Sequence, residues 1–336
     1  MGVLVGQRAA LRAAMEEQGL WPCEPDAAWI RDAVVRLPRD GFAPDRVFVW
    51  DGSSAYMPVD RERDPDGWAN AVYPGSLYEG TVTQIGADGL PSSSISCAAV
   101  VTDMLDSLML EAGQRVLELE LGTGAGWSAA LLASRAGAGR VVSVEIDPAL
   151  ADAAATRLKA AGLDVDVWTA DAGLAAADRG PFDRVIATYA VEEVPWAWVE
   201  QTRPGGRIVV PWGRLGHVAL TVTDDGRRAQ GWVQGLATFM PARGVEQGLP
   251  LHTIRAAAPA TRETTARRDA APSRRGISSS LCASATPICA SSPPRPPTAP
   301  RSTCTTALHP GQPPAPVPAD SCVSPAVDPA TSGPRR

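Results

Sequence analysis

The chain has 336 residues, of which 45% are hydrophobic, enough to build the core of one large domain or two ordinary ones. Its net charge of −6 argues against a general nucleic-acid binder, which needs a basic face to meet phosphates. No apolar run approaches the roughly 18–20 residues of a membrane span, and the first residues lack the basic-then-apolar layout of a secretion signal. The expectation is a cytoplasmic protein with neither nucleic acid nor membrane as partner. The six cysteines include no C-x-x-C pair, and the only histidines are His217, His252 and His309, so no zinc pattern emerges and no metal is expected.

In chain order, residues 5–19 read as a helix with Leu11, Met15 and Leu20 on one side and Gly19 near its end. Residues 27–37 read as a second helix, opened by Pro25 and Asp26 and ended by Pro38. Residues 47–50 suit a short strand, and the charged stretch 60–68 reads as a loop. From residue 92 onward, strand and helix alternate. Helices are predicted at 100–110, 127–136, 148–161 and 194–201. Strands are predicted at 115–121, 141–146, 165–169, 182–188 and 206–210. Residues 218–222 and 230–233 flank Asp224-Asp225-Gly226 and read as a hairpin. The fold class is therefore α/β: a doubly wound, Rossmann-like, mostly parallel sheet with a C-terminal antiparallel hairpin.

Three regions follow: a leading helical and irregular part (1–80), the alternating domain (81–245) and a tail (246–336). From Arg255 to the end there is no aromatic residue, and that stretch holds 16 of the 31 prolines. Such a composition buries too little apolar surface to offset its ordering entropy, so disorder is expected. An out-of-frame reading of a GC-rich gene yields the same mixture.

The sharpest local signal is Glu120-Leu121-Gly122-Thr123-Gly124-Ala125-Gly126, which leaves an apolar strand and enters a helix. Glycines there allow a tight turn and close approach of a ligand to the backbone. A Gly-rich turn also occurs as plain structure, so context decides. Glu145 ends the next strand, where a carboxylate can accept hydrogen bonds from both ribose hydroxyls; Asp147, just before Pro148, suits helix capping better. Asp171 ends the third strand and suits either an adenine amine or a turn. The G-x-G-x-G spacing departs from the G-x-G-x-x-G of NAD folds, and no hydride-transfer His or Tyr-x-x-x-Lys pair is present. With Pro204-Gly205-Gly206-Arg207 before the fifth strand, the order resembles class I methyltransferases.

Further pieces make the resemblance specific. Arg36-Leu37-Pro38-Arg39-Asp40-Gly41-Phe42-Ala43-Pro44 is similar to the early V-P-R-x-x-F-x-P element of protein-L-isoaspartate O-methyltransferases. Ser94-Ile95-Ser96-Cys97-Ala98, followed by Val100-Val101-Thr102-Asp103-Met104, is similar to their T-I-S-x-P…M element. The glycine loop, Ser143-Val144-Glu145-Ile146-Asp147, Pro181-Phe182-Asp183-Arg184 and Gln201-Thr202-Arg203-Pro204-Gly205-Gly206 continue the likeness in order. Trp50-Asp51-Gly52, residues 60–68 and Val82-Thr83-Gln84 resemble actinobacterial members associated with maturing ribosomal peptides.

The resemblance implies S-adenosyl-L-methionine as cofactor, held by Glu120, Gly122, Thr123, Gly124, Gly126, Glu145, Asp171 and Ala172. It implies an acceptor protein or peptide carrying isoaspartate, or an ordinary aspartate, met by Ser94, Ile95 and Ser96, with Ser96 as the catalytic candidate. Residues 1–80 then lie on the substrate side, and 81–245 form the cofactor-binding domain. The implied reaction is carboxyl O-methylation of isoaspartyl residues. Alternatives are methylation of an aspartate in a precursor peptide to drive aspartimide formation, or cofactor binding without turnover. Ser96 also reads as a helix cap or turn former. The chain departs from the family pattern where Val116-Leu117-Glu118-Leu119-Glu120-Leu121 is two residues longer than the usual strand. Glu118 and Glu120 therefore compete for one motif position, and adjacency to the glycines favours Glu120. Ala98 replaces the usual Pro, Ala172 stands where Gly is common, and the tail stands where ordered structure closes over the substrate.

Overall fold

The structure, a computed structural model, describes residues 2–120, 125–172, 179–213 and 216–241, and the backbone of 288–291. Its centre is an eight-stranded sheet in the order β12-β11-β10-β9-β8-β5-β6-β7. The strands are β5 (Val116–Glu120), β6 (Val141–Glu145), β7 (Val165–Thr169), β8 (Phe182–Ala187), β9 (Thr202–Trp212), β10 (Gly216–Val222), β11 (Arg228–Gly235) and β12 (Ile288–Ser291). From β7 to β9 the neighbours are parallel; from β9 to β12 they are antiparallel. The expected hairpin is β10–β11, and the turn closes with the Gly226 N–H donating to the Thr223 carbonyl at 2.8 Å. The strand order reverses at β5, so the crevice beside it lies at the carboxyl ends of β5 and β8, where open α/β sheets take ligands.

Side-chain alternation explains why both faces are covered. Leu117, Leu119, Val142, Val144, Val185 and Ile208 join one buried cluster, with Trp198 and Val199 of helix α7 (Trp196–Glu200). Val116, Val141, Ile186 and Val209 face the opposite cluster. That second cluster includes residues of α4 (Ala98–Leu108), α5 (Trp127–Ala136) and α6 (Pro148–Ala160), together with the leading region. Gly206 meets a tight spot at the start of the β8–β9 pairing, where a Cβ would lie 2.6 Å from the Thr202 methyl and 2.7 Å from the Arg203 carbonyl.

The leading region is more ordered than its sequence reads. It contains α1 (Gly2–Glu17), α2 (Ala28–Arg36), α3 (Pro65–Val72) and a four-stranded antiparallel sheet. That sheet runs β2-β1-β3-β4, with β1 (Arg46–Trp50), β2 (Tyr56–Asp60), β3 (Thr81–Ile85) and β4 (Pro91–Ile95). Helix α3 begins inside the stretch read as a loop. Asp64 caps it by accepting from the Gly67 N–H at 2.8 Å, Pro65 occupies the first turn, and Trp68, Ala69 and Val72 turn inward. Charge density in residues 60–68 masked this Asp-Pro start signal.

Strand β7 ends the sheet. Asp166, its second residue, pairs with Arg179, whose guanidinium lies 3.9 Å from the Trp168 ring centroid. Most of the tail lies outside the described residues; Ile288–Ser291 within it runs as a strand against β11. Among the described residues no helix is long and apolar enough to cross a membrane.

Helix α6 starts where Asp147 accepts from the N–H groups of Ala149 at 2.9 Å and Leu150 at 3.4 Å. Asp147→Ala is expected to cost about 1 kcal/mol in urea unfolding, and Asp147→Asn to retain most of that stability.

Candidate active site

The sheet register sets where the acidic residues expected at the cofactor fall. Glu120, the last residue of β5, stands opposite Glu145, the last of β6, and two residues earlier Glu118 stands opposite Ser143. The side chain of Glu120, and all of Leu121, Gly122, Thr123 and Gly124, lie outside the described residues. Glu145 is fully buried and accepts from the Asp147 N–H at 2.9 Å. Glu118 is also fully buried; one oxygen accepts from Ser143 Oγ at 2.7 Å, and the other has no hydrogen-bond partner among the described residues. Burial pushes the Glu118 carboxyl up, hydrogen bonds from Ser143 and Ser128 oppose this, and the Glu145 charge adds to it.

Gly126 ends the loop with a φ of 76°. A Cβ there would also lie 3.4 Å from the Ala154 side chain and 3.4 Å from that of Leu158 on α6. The glycine is therefore favoured by backbone shape, while α6 would accept a Cβ at close contact.

Beyond β7, the Ala170 N–H donates to the Glu145 carbonyl at 3.0 Å, which draws the next residues toward β6. Asp171 is exposed and Ala172 buried. The Ala172 carbonyl accepts from the indole N–H of Trp198 at 2.9 Å. Tyr189 packs edge-on against Trp198 at 6.1 Å. Its phenol is pushed up mainly by burial and also by the charge of Asp171. Trp198 and Tyr189 thus brace the 171–172 turn, a role invisible in sequence because Trp198 lies 26 residues from its partner.

The segment expected to meet the acceptor lies at the exit from β4. Ile95 is buried, Ser94 and Ser96 are half-buried, and Cys97, not Ser96, is the N-cap of α4. One cavity is lined by Ser94, Ile95 and Ser96 from this segment and by Ala125, Trp127 and Ser128 from the start of α5. Thr188, just after β8, Phe239 and apolar residues of α4 and β8 also line it. Phe239 arrives on the chain beyond β11, which returns across the sheet ends: the Ala190 N–H donates to the Met240 carbonyl at 2.8 Å. No periodicity or motif in the sequence flags Phe239.

The six-part likeness and this geometry meet in one comparison: residues 30–242 match the family model of protein-L-isoaspartate(D-aspartate) O-methyltransferase. The chain belongs to this family. Among its relatives, the protein-L-isoaspartate O-methyltransferase 2 of Archaeoglobus fulgidus is 34% identical over 177 residues, covering 51% of this chain and 77% of the relative. The protein-L-isoaspartate O-methyltransferase of Methylorubrum extorquens is 31% identical over 250 residues, covering 74% and 95%. That of Methylorubrum populi is 34% identical over 239 residues, covering 70% and 97%. As a member of the protein-L-isoaspartate O-methyltransferases, the chain is an S-adenosylmethionine-dependent enzyme that methylates isoaspartyl residues.

Two outcomes are expected. Trp198→Phe keeps the buried ring but removes the donor to Ala172; calorimetry should show cofactor affinity several-fold weaker, with about 1 kcal/mol lost in unfolding. Because the folded-state pKa of Glu118 is raised, the penalty on its charge is absent below the ordinary carboxylate pKa, and stability is lost as pH rises through the folded value. Glu118→Gln without cofactor should therefore be more stable than wild type near neutral pH, and the difference should vanish near pH 4 in pH-resolved melting.

Proposed function

We propose that the cofactor lies across the carboxyl ends of β5, β6 and β7 and that Ser96 holds the isoaspartyl carboxylate. On this reading Glu145 receives the ribose hydroxyls, and Asp171 with Ala172 meets the adenine edge. Glu120 and the loop of Gly122, Thr123, Gly124 and Gly126 take the amino-acid end. Three features support the fit to S-adenosylmethionine: a carboxylate buried at the end of β6, an oxygen of Glu118 without a partner among the described residues, and a turn whose positive φ at Gly126 favours glycine. Bound there, the cofactor supplies a methyl group on a sulfonium, already activated for displacement.

The observation that carries the acceptor assignment is the shared cavity: Ser94, Ile95 and Ser96 line it together with Ala125, Trp127 and Ser128. Little more than positioning is required of the protein. A carboxylate with a pKa near 4 is ionised at pH 7, so its oxygen attacks without a general base. The Ser96 hydroxyl donates to one carboxylate oxygen and aims the other. Ile95, Leu105, Ile186 and Phe239 line the cavity with apolar surface and keep water from competing. His217 takes no proton here: it is buried, its Nε2 lies 3.3 Å from Ser107 Oγ, and burial lowers its pKa to about 4. The acceptors are proteins or peptides that present isoaspartate.

The test is transfer of tritium from labelled S-adenosylmethionine to an isoaspartyl peptide and to its aspartyl twin. Base-labile label on the isoaspartyl peptide alone is expected. Ser96→Ala should lower kcat/KM for the peptide by about 10–100-fold, the worth of one hydrogen bond to a charged group, with cofactor affinity unchanged. Glu145→Ala should lose cofactor binding first. Label appearing equally on both peptides, or none despite intact cofactor binding, would remove the isoaspartyl assignment.

A further inference from the structure

Arg39 belongs to the early motif, yet the reading above gives it no work. It opens a short 3-10 turn (Arg39–Gly41) and is only 2% exposed. Its Nη2 donates to Thr81 Oγ1 at 3.0 Å and to the Ile95 carbonyl at 3.1 Å. Among the described residues its Nε has no hydrogen-bond partner and no acid pairs with it. The adjacent carboxylate, Asp40, is taken by Arg8 and by the Tyr73 hydroxyl. Burial lowers the Arg39 pKa to about 10. A buried charge without a counter-ion costs stability, and an aliphatic side chain of similar length would cost less. Stability therefore does not account for an arginine at this place.

Its neighbours do. The guanidinium carbon lies 5.4 Å from the ring centroid of Trp127, the first residue of α5. The indole N–H of Trp127 in turn donates to the Leu37 carbonyl at 2.8 Å. Residues 37–39 thus hold the start of α5, where the glycine loop ends, and through Arg39 they hold the carbonyl of Ile95, the middle of the acceptor segment. The planar guanidinium serves both ends at once, stacking over the indole while its terminal nitrogen reaches the carbonyl.

We propose that Arg39 is a positioning residue for methyl transfer, setting the separation between the acceptor segment 94–96 and the first turn of α5. It touches neither acceptor nor cofactor, and this role rests on the assignment of Ser96 to the acceptor. In-line displacement is steep in geometry: a misplacement of about 1 Å can cost on the order of 100-fold in rate.

The test uses the full chain with Arg39→Met, Arg39→Lys, Ser96→Ala and the Arg39→Met/Ser96→Ala pair. Urea unfolding, calorimetric cofactor affinity, and kcat and KM for an isoaspartyl peptide are measured for each. Arg39→Met is expected to be at least as stable as wild type and to bind cofactor within about threefold. Its kcat for the peptide should fall by about 10–100-fold. Arg39→Lys, which keeps a donor toward the Ile95 carbonyl, should recover part of that loss, and it reads the same kinetics if the Met variant does not fold. Ser96→Ala should cost much less in the Arg39→Met background than alone, because both act through one segment. Unchanged peptide kinetics in Arg39→Met overturn the proposal, as does a kinetic loss that only follows lost folding or cofactor binding. Strictly multiplicative losses overturn it while sparing the Ser96 assignment. No effect of Ser96→Ala alone overturns that assignment and this role with it.

Discussion

Parallel pairing of β5 with β6 carries the acidic residues of both strands into one row at the sheet's carboxyl end. Glu118 faces Ser143 and Glu120 faces Glu145 across the same ladder. Because strand order reverses at β5, this row lies beside the crevice that doubly wound sheets use for ligands. Everything else at the site is hung from that register. Ala170 is tied back to the Glu145 carbonyl, Ala172 is held by Trp198, and α5 leaves from Gly126 with its first residue anchored to Leu37. Burying carboxylates so close together opposes folding. That cost is consistent with a site shaped for a ligand carrying hydroxyl donors and positive charge.

The alternating domain was legible because its signals are local. Val116 to Leu121, Val141 to Glu145 and Phe182 to Ala187 are short apolar runs separated by helix-length segments, and a parallel sheet follows from that rhythm. The leading region was less legible because its strands carry weak signals. β3 and β4 are rich in Thr and Ser, whose hydroxyls satisfy one another, as in the 2.9 Å bond from Thr83 Oγ1 to Ser93 Oγ, rather than filling an apolar core. No period-2 hydrophobic pattern marks such strands. Helix α3 was hidden by charges that sit on its outer face and the turn before it.

The site divides the same way. Glu145, Gly126 and the Ser94–Ser96 segment stand in motifs with a chemical reason for their spacing. Trp198, Tyr189 and Phe239 make contacts across the fold that leave no trace in linear spacing, whereas Arg39 stands in a motif but its partners do not. The choice between Glu118 and Glu120 is of an intermediate kind. Sequence adjacency points to Glu120, whereas strand register gives Glu118 the serine partner, and both lie on one face because alternate residues of a strand share a face. Phe239 shows in addition that a wall of the cavity comes from residues just beyond the hairpin, ahead of the Pro/Arg-rich tail.

Strand β7 has a consequence of another kind. An exposed outer strand is a template on which a second chain can add itself, the first step of ordered aggregation. Here that strand carries Asp166, held by Arg179, and the same guanidinium covers the face of Trp168. A charged group therefore stands where a foreign strand would dock, and the indole that would reward docking is already covered. The enzyme's acceptors carry isoaspartyl residues in polypeptide chains, and a margin so occupied offers their backbones little to pair with.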